Sequence, residues 1–484
     1  MRMENKILLI TYPDSLGGNI NSLKCVLEQK LKEAVHGVHI LPFFPSTADR
    51  GFAPVTYESV ESSFGSWEDI GEIQKEHPVA VDFMINHVSR YSKFFQDFLK
   101  RKEDSPYKKL FVRYKDFWEN GEPTEEQAAM IFKRKPKAPY EEVLFADGTR
   151  EKVWCTFGAD QIDLDFRQRE TKEYIRETLK HFAKMGFSMV RLDAFAYTTK
   201  YENTSCFFVE PYIWDVLEYC KEILDSVGLE MLPELHGHYS SRLMLSQRGY
   251  WVYDFALPML VLHALYSGEG KRLAEWIRIA PHKQFTTLDT HDGIGVIDVQ
   301  GLLTEGEIQF TIDYLYRHGA NVKKVYNTEA YRNMDIYQLN CTYYSALGDD
   351  GRAYLLARAI QFFTPGIPQV YYMGMLCGKN DIEYLEKTKE GRSINRHNYS
   401  MKEIDEEMKR PVVKKLLELM RARNRSSAFD GEHEVKSDGS KLAIHWKNGG
   451  EYAELKCDLK SRHFTALFSG KQEGSSPLFH EISG

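Results

Sequence analysis

At 484 residues and 56.3 kDa, with a formal net charge of -7 and a pI near 6.2, the chain has room for a large catalytic domain with attachments and lacks the basic excess that nucleic-acid binding needs. Its seven cysteines are scattered without CxxC spacing or a companion histidine pattern, which excludes a zinc-ribbon site and reads as reduced thiols of a cytoplasmic protein. The apolar run at 7–10 is too short for a signal-peptide core and no stretch reaches membrane-spanning length, so neither export nor membrane insertion is expected.

In chain order, short apolar strands are predicted at 7–12, 37–41, 79–85, 188–192, 229–233, 251–255, 285–288 and 368–372, with helical periodicity at 23–34, 172–185, 213–227 and 353–363 between them. Eight strands alternating with helices predict an α/β fold, a (β/α)8 TIM barrel. Ile175, Leu179 and Phe182 share one helical stripe, and Gly186 is placed to end that helix. About a hundred residues separate the third and fourth strands, too many for one crossover helix, so 88–164 is read as an inserted lid domain with a turn at Asp147-Gly148. A second insertion, 293–346, follows the seventh strand and carries an amphipathic helix at 305–317. From 430 to 484 the pattern changes to alternating strands at 441–446, 452–459 and 464–468, turned at Asn448-Gly449-Gly450, which predicts a C-terminal antiparallel β domain. The barrel itself is assigned to 1–87, 165–292 and 347–429.

Three of the barrel strands run into acids: Asp193 after Arg191-Leu192, Glu234 after Met231-Leu232-Pro233, and Asp292 after His291. Side chains at the C-terminal ends of barrel strands face the active-site mouth, and three carboxylates there suit cleavage of a glycosidic bond with retention. Arg191, two residues before Asp193, would orient that carboxylate as a nucleophile, although a buried ion pair bracing the rim is the competing reading. The apolar neighbours of Glu234 suit a protonated general acid, with a rim-bracing role as the alternative. Asp292 in His-Asp-Gly can bind sugar hydroxyls or simply make a tight turn. On the same rim Asp82 reads as structural, Asp49 and His87 as sugar-hydroxyl ligands, and Phe52 and Phe157 as stacking platforms or core.

The segments DFMINH (Asp82 to His87), RLDAFAY (Arg191 to Tyr197), PELH (Pro233 to His236) and DTHDG (Asp289 to Gly293) resemble the four signature regions of the α-amylase superfamily, glycoside hydrolase family 13. More narrowly, ITYPDSLGGN, GVHILPFFPS, DRGFAPVTY, QIDLD, CFFVEP, TPGIPQVYY, GKND and INRH resemble the sucrose phosphorylase family over essentially the whole chain. This resemblance implies that Asp193 is the nucleophile, Glu234 the general acid/base and Asp292 the transition-state stabiliser. It implies that Asp49, His87, Arg191, His291 and Arg396 surround the glucosyl ring, and Gln161 of QIDLD joins the candidate substrate contacts. The implied reaction is a double displacement: sucrose and inorganic phosphate give α-D-glucose 1-phosphate and fructose through a glucosyl-enzyme, with no cofactor. No metal is expected, because the calcium that some amylase relatives hold at the counterpart of Asn86 lacks an acidic cage in this sequence.

A phosphorylase must also accept a dianion, and Lys133-Arg134-Lys135 supplies positive charge, with a solvated charge run as the plain alternative. By resemblance, Arg134 belongs to a mobile loop at the acceptor subsite, faced by a loop with Asp335, Tyr337 and Gln338. Relatives specific for sucrose 6′-phosphate carry a histidine at the position of Tyr337, so tyrosine favours unphosphorylated sucrose. Phosphorylases of sucrose 6′-phosphate, glucosylglycerol or glucosylglycerate are the nearer alternatives. A sucrose hydrolase or transglucosylase would keep the three acids but lack the INRH and DIYQ features, and a non-catalytic relative would lose acids and gain a membrane segment. The expected partners are small molecules alone, with the chain a monomer or homodimer.

Overall fold

Eight strands form one sheet in the computed structural model, which describes residues 1–135, 137–320, 338–470 and 478–484. They are β1 (Leu8–Thr11), β2 (Gly37–Ile40), β3 (Val79–Met84), β4 (Met189–Asp193), β5 (Glu230–Pro233), β6 (Val252–Asp254), β7 (Gln284–Thr286) and β8 (Ile367–Tyr371), in the order β6-β7-β8-β1-β2-β3-β4-β5. Apart from β5 and β6 at the two ends of this order, every strand lies beside its sequence neighbours, as in a (β/α)8 barrel. Two compact units make up the chain: residues 40–235, and residues 2–39 with 236–484.

In the first unit β3, β4 and β5 pair in parallel, with Met84 opposite Asp193 and Leu192 opposite Pro233. Their residues are almost all buried, as a strand covered on both faces requires. Helix Arg169–Lys184 covers them with the predicted stripe of Ile175, Leu179 and Phe182, and Gly186 follows at φ +81° with its N–H on the Ala183 carbonyl. Between β3 and β4 lie helix Lys93–Arg101 and a hairpin, Tyr140–Leu144 with Arg150–Trp154, turned at Asp147-Gly148. A core of its own, including Phe95, Phe98, Phe111, Val143, Phe145 and Val153, holds this insertion together.

The second unit contains β1, β6, β7 and β8, with β8 paired in parallel to both β1 and β7. The amphipathic helix appears at Glu305–Arg317, started by a capping box between Thr304 and Glu307. Four residues of the loops on either side form a small antiparallel bridge, Ile294 with Leu339 and Gly295 with Gln338. The C-terminal sheet has five strands in sequence order, β9 (Glu432–Asp438), β10 (Lys441–Asn448), β11 (Glu451–Asp458), β12 (His463–Gly470) and β13 (Leu478–Ser483). Trp446 Nε1 donates to the Phe363 carbonyl at 2.8 Å, pinning this sheet to helix Gly351–Phe363.

Three expectations are corrected. The first helix is Ile20–Gln29 rather than 23–34, because Asn19 caps it early and Glu33 at φ +64° cannot continue it. The C-terminal domain gains β9 and β13, two strands that periodicity missed. Strand β7 ends at Thr286, so Asp292 sits six residues beyond it in a loop rather than directly at a strand end.

Candidate active site

Arg191 and Asp193 alternate onto the same face of β4, and the guanidinium of Arg191 is almost wholly buried there. It bonds Asp82, its register partner on β3 and a fully buried residue, which therefore has the structural role expected of it. Its Nη1 lies 3.1 Å from Asp193 Oδ1 and its Nη2 lies 2.8 Å from Glu234 Oε1. The carboxyls of two adjacent strand ends thus share one cation. Ala194 adopts φ +56°, a costly conformation for a residue with a Cβ, and its N–H points at Glu234 Oε2 at 3.4 Å. The expected apolar setting of Glu234 is corrected: Met231, Leu232 and Pro233 are buried in β5, but the carboxyl itself meets Arg191.

Around this cluster the same unit gathers other candidates. His87 is buried, with Nε2 2.8 Å from the Phe52 carbonyl, and Gln161 Nε2 donates to that same oxygen at 3.0 Å. Burial pulls the His87 pKa below its ordinary value, against Asp163, the Phe52 carbonyl and Asp49. The Phe52 carbonyl can only accept, so His87 carries a proton on Nε2. Phe157 stands edge-on to His87 at 5.5 Å and to Tyr197 at 5.0 Å, and Arg134 lies over Phe157 at 6.0 Å. Arg191 covers the Phe52 ring at 5.8 Å. Asp49 and Arg50 are both left-handed, at φ +47° and +49°, and a side chain on the next residue, Gly51, would run into Pro42. Of the three cations at 133–135, Lys133 is exposed and Lys135 pairs with Glu141 at 3.0 Å, leaving Arg134 to face the aromatic wall.

Tyr197 and Lys200 were missed as site residues. Burial pushes the Tyr197 phenol up to about 12, helped by the Glu234 and Asp193 charges and opposed by Arg134. Its place inside RLDAFAY was the available signal. One acid does stand beside Asn86: Asp163 Oδ2 accepts from Asn86 Nδ2 at 3.1 Å. Lys200 Nζ sits 2.7 Å from Asn86 Oδ1 and 2.8 Å from Asp163 Oδ2, so an ammonium already neutralises this oxygen cluster.

In the second unit Asp292 Oδ1 lies 2.9 Å from Arg392 Nη1, 3.7 Å from His291 Nε2 and 3.9 Å from Arg396 Nη2. Burial opposes its charge, but the positive charge around it, Arg392 foremost, outweighs burial and holds the carboxyl far below the usual range. Asn395 Nδ2 donates to the carbonyls of Thr290 and Asp292 at 3.2 and 2.9 Å, and Arg396 Nε donates to that of His291 at 2.9 Å, so INRH frames the Asp292 loop. Gln338 joins this group through Arg392 Nη2 at 3.5 Å. Asp335 and Tyr337 lie outside the described residues. Arg392, one turn before Arg396, carried no separate signal in the sequence.

The α-amylase catalytic-domain family matches residues 12–211. A sucrose phosphorylase from Streptococcus mutans serotype c is 51% identical over 465 residues, covering 95% of this chain and 97% of that one. The chain belongs to the sucrose phosphorylase family. Other members differ in the acceptor named: a glucosylglycerol phosphorylase from Marinobacter adhaerens is 40% identical, covering 98% of this chain and 99% of its own. The crystal structure of sucrose 6F-phosphate phosphorylase from Thermoanaerobacter thermosaccharolyticum superposes with a TM-score of 0.94 at 43% identity, covering 99% of both chains. Membership makes the chain a phosphorylase, a glycosyltransferase-type enzyme on a (β/α)8 barrel with a C-terminal antiparallel sheet. Among the described residues no helix is long and apolar enough to cross a membrane.

Proposed function

We propose that the enzyme transfers the glucosyl group of sucrose to phosphate, giving α-D-glucose 1-phosphate and fructose, by double displacement through an ester on Asp193. The observation that carries this reading is the guanidinium shared by Asp193 and Glu234. Two carboxyls on neighbouring nitrogens of one guanidinium favour the separation of about 5–5.5 Å used by retaining enzymes over the roughly 6.5–9.5 Å of inverting ones. Arg191 faces three acids with one positive charge, which favours a proton held within the cluster. Glu234 holds it, passes it to the fructosyl oxygen as Asp193 attacks C1, and then takes a proton from phosphate as a phosphate oxygen displaces Asp193. Asp292, kept ionised by its cations, stabilises the positive charge that develops on the ring.

Asp49, His87, Gln161, His291 and Arg396 bind ring hydroxyls, Phe52 and Phe157 wall the sugar, and Arg134 with Asp335, Tyr337 and Gln338 serves the acceptor. The name of the 51% identical relative and the tyrosine at 337 support sucrose as donor. No metal is required, since Lys200 supplies the positive charge beside Asn86 and Asp163. Seven free thiols support a cytoplasmic location. The test is to incubate the enzyme with sucrose, sucrose 6′-phosphate or glucosylglycerol, with and without phosphate. Phosphate-dependent release of α-glucose 1-phosphate, fastest from sucrose, is expected; free glucose formed at the same rate without phosphate would identify a hydrolase instead.

A further inference from the structure

Beside Asp292 a chain of polar side chains has only one workable direction. Arg392 reaches Asp292 Oδ1 at 2.9 Å and, through Nη2, Gln338 Oε1 at 3.5 Å. Arginine can only donate, so the amide oxygen of Gln338 must face it. The amide nitrogen then faces the other way, 3.4 Å from His236 Nε2, and a donor there needs a lone pair on that nitrogen. The ring proton of His236 is thereby placed on Nδ1, 3.1 Å from Asp298 Oδ2, which accepts it.

Asp298 is built to hold that position. It is fully buried, its Oδ1 accepts from Arg242 and from the Gly237 N–H at 3.3 Å, and Arg242 Nη2 also bonds its carbonyl at 3.0 Å. A side chain on Gly295 would collide with Oδ2, and Phe255 lies flat on the imidazole at 4.0 Å and 14°.

We propose that Asp298 is a positioning residue for acceptor choice: by fixing the Nδ1–H tautomer of His236 it orients Gln338 and Arg392, and so favours phosphate over water. With the proton on Nε2 instead, Gln338 would turn its oxygen to His236 and its NH2 to Arg392. Donor would then face donor, and Arg392 would loosen. A dianion needs that fixed cation; water does not. This inference rests on the phosphorolysis reading.

The first measurement needs no variant. In 15N NMR of histidine-labelled enzyme, assigned with His236→Gln, Nδ1 of His236 is expected to be protonated and Nε2 bare; a protonated Nε2 overturns the inference. In Asp298→Asn, KM for phosphate is expected to rise about 10-fold or more while KM for sucrose moves less than about 2-fold, and the share of free glucose rises. A purely structural role would shift both KM values together and leave the product ratio unchanged, which overturns the inference. In a His236→Gln background the same substitution should add nothing, and additive effects count against it. If wild-type enzyme makes no glucose 1-phosphate from any donor, the phosphorolysis reading falls and the acceptor role with it. A wrong tautomer in an enzyme that phosphorolyses normally sinks only the role of Asp298.

Discussion

Arg191 binds Asp82, Asp193 and Glu234 at once, so its charge and its planar fork are both in use. Lysine offers the charge without the fork. Arg191→Lys should therefore cut kcat by roughly 100-fold or more and lower the thermal midpoint, measured by initial rates and calorimetry; near-normal kcat would deny Arg191 its orienting role. Asp292 gives a different expectation. In its proposed role the carboxylate acts on charge that exists only in the transition state, so Asp292→Asn should lower kcat far more than it raises KM. Because the folded pKa of Asp292 is lowered, its contribution to stability is complete above the ordinary 3.8 and is lost only as pH falls below it. The acid limb of activity between pH 4 and 7 must then come from other groups. For His87 burial also lowers the pKa, but here the neutral form is the one the fold stabilises. As pH falls through the ordinary 6.5 the unfolded chain takes up the proton first, so stability should decline there, and His87→Asn should flatten that slope in thermal melts. Asp193, Glu234 and Arg191 were legible because strand-end acids beside an arginine leave a local pattern. Arg392, Asp298 and Lys200 were not, since their partners are distant in sequence: Lys200 meets Asn86 across 114 positions.

Among the elements, the end of β3 and the short strand Gln161–Asp163 are tied by Lys200, which reaches oxygens of Asn86 and Asp163. Asp163 is fully buried and also accepts from the Thr156 N–H at 2.9 Å, and Lys200 with Thr156 outweighs burial to keep its pKa low. Lys200→Met should strand that carboxylate and cost about 3–5 kcal/mol in chemical denaturation. Millimolar calcium should leave the wild-type melting temperature unchanged; a rise on adding calcium would reveal a metal site in place of the lysine. All eight barrel strands were readable because strands buried on both faces are continuous apolar runs. Strand β9 was not, because Glu432–Asp438 exposes most of its residues and carries mainly charged and polar side chains. The Asp292 loop was misjudged because Thr287 and Leu288 are buried without belonging to β7.

At the scale of the molecule, relatives spanning nearly the full chain share the fold while their names differ in acceptor. The proposed function divides the site in the same way, with the Asp193–Arg191–Glu234 cluster on the donor side and the Gln338 loop on the acceptor side. Barrel class and inserted segments were visible in the spacing of strands, whereas the side chains that join Gln338 to Asp298 depend on loops whose path no periodicity encodes. The proposed reaction passes through a glucosyl ester on Asp193. Glu234→Gln, which cannot protonate a leaving alkoxide, should be incubated without phosphate with α-glucosyl fluoride, whose fluoride leaves without an acid, then quenched in acid, digested and read by mass spectrometry. One added glucosyl residue is expected on the peptide containing Asp193, discharged to α-glucose 1-phosphate when phosphate is supplied. An adduct on another residue, or a β-configured phosphate product, would contradict it.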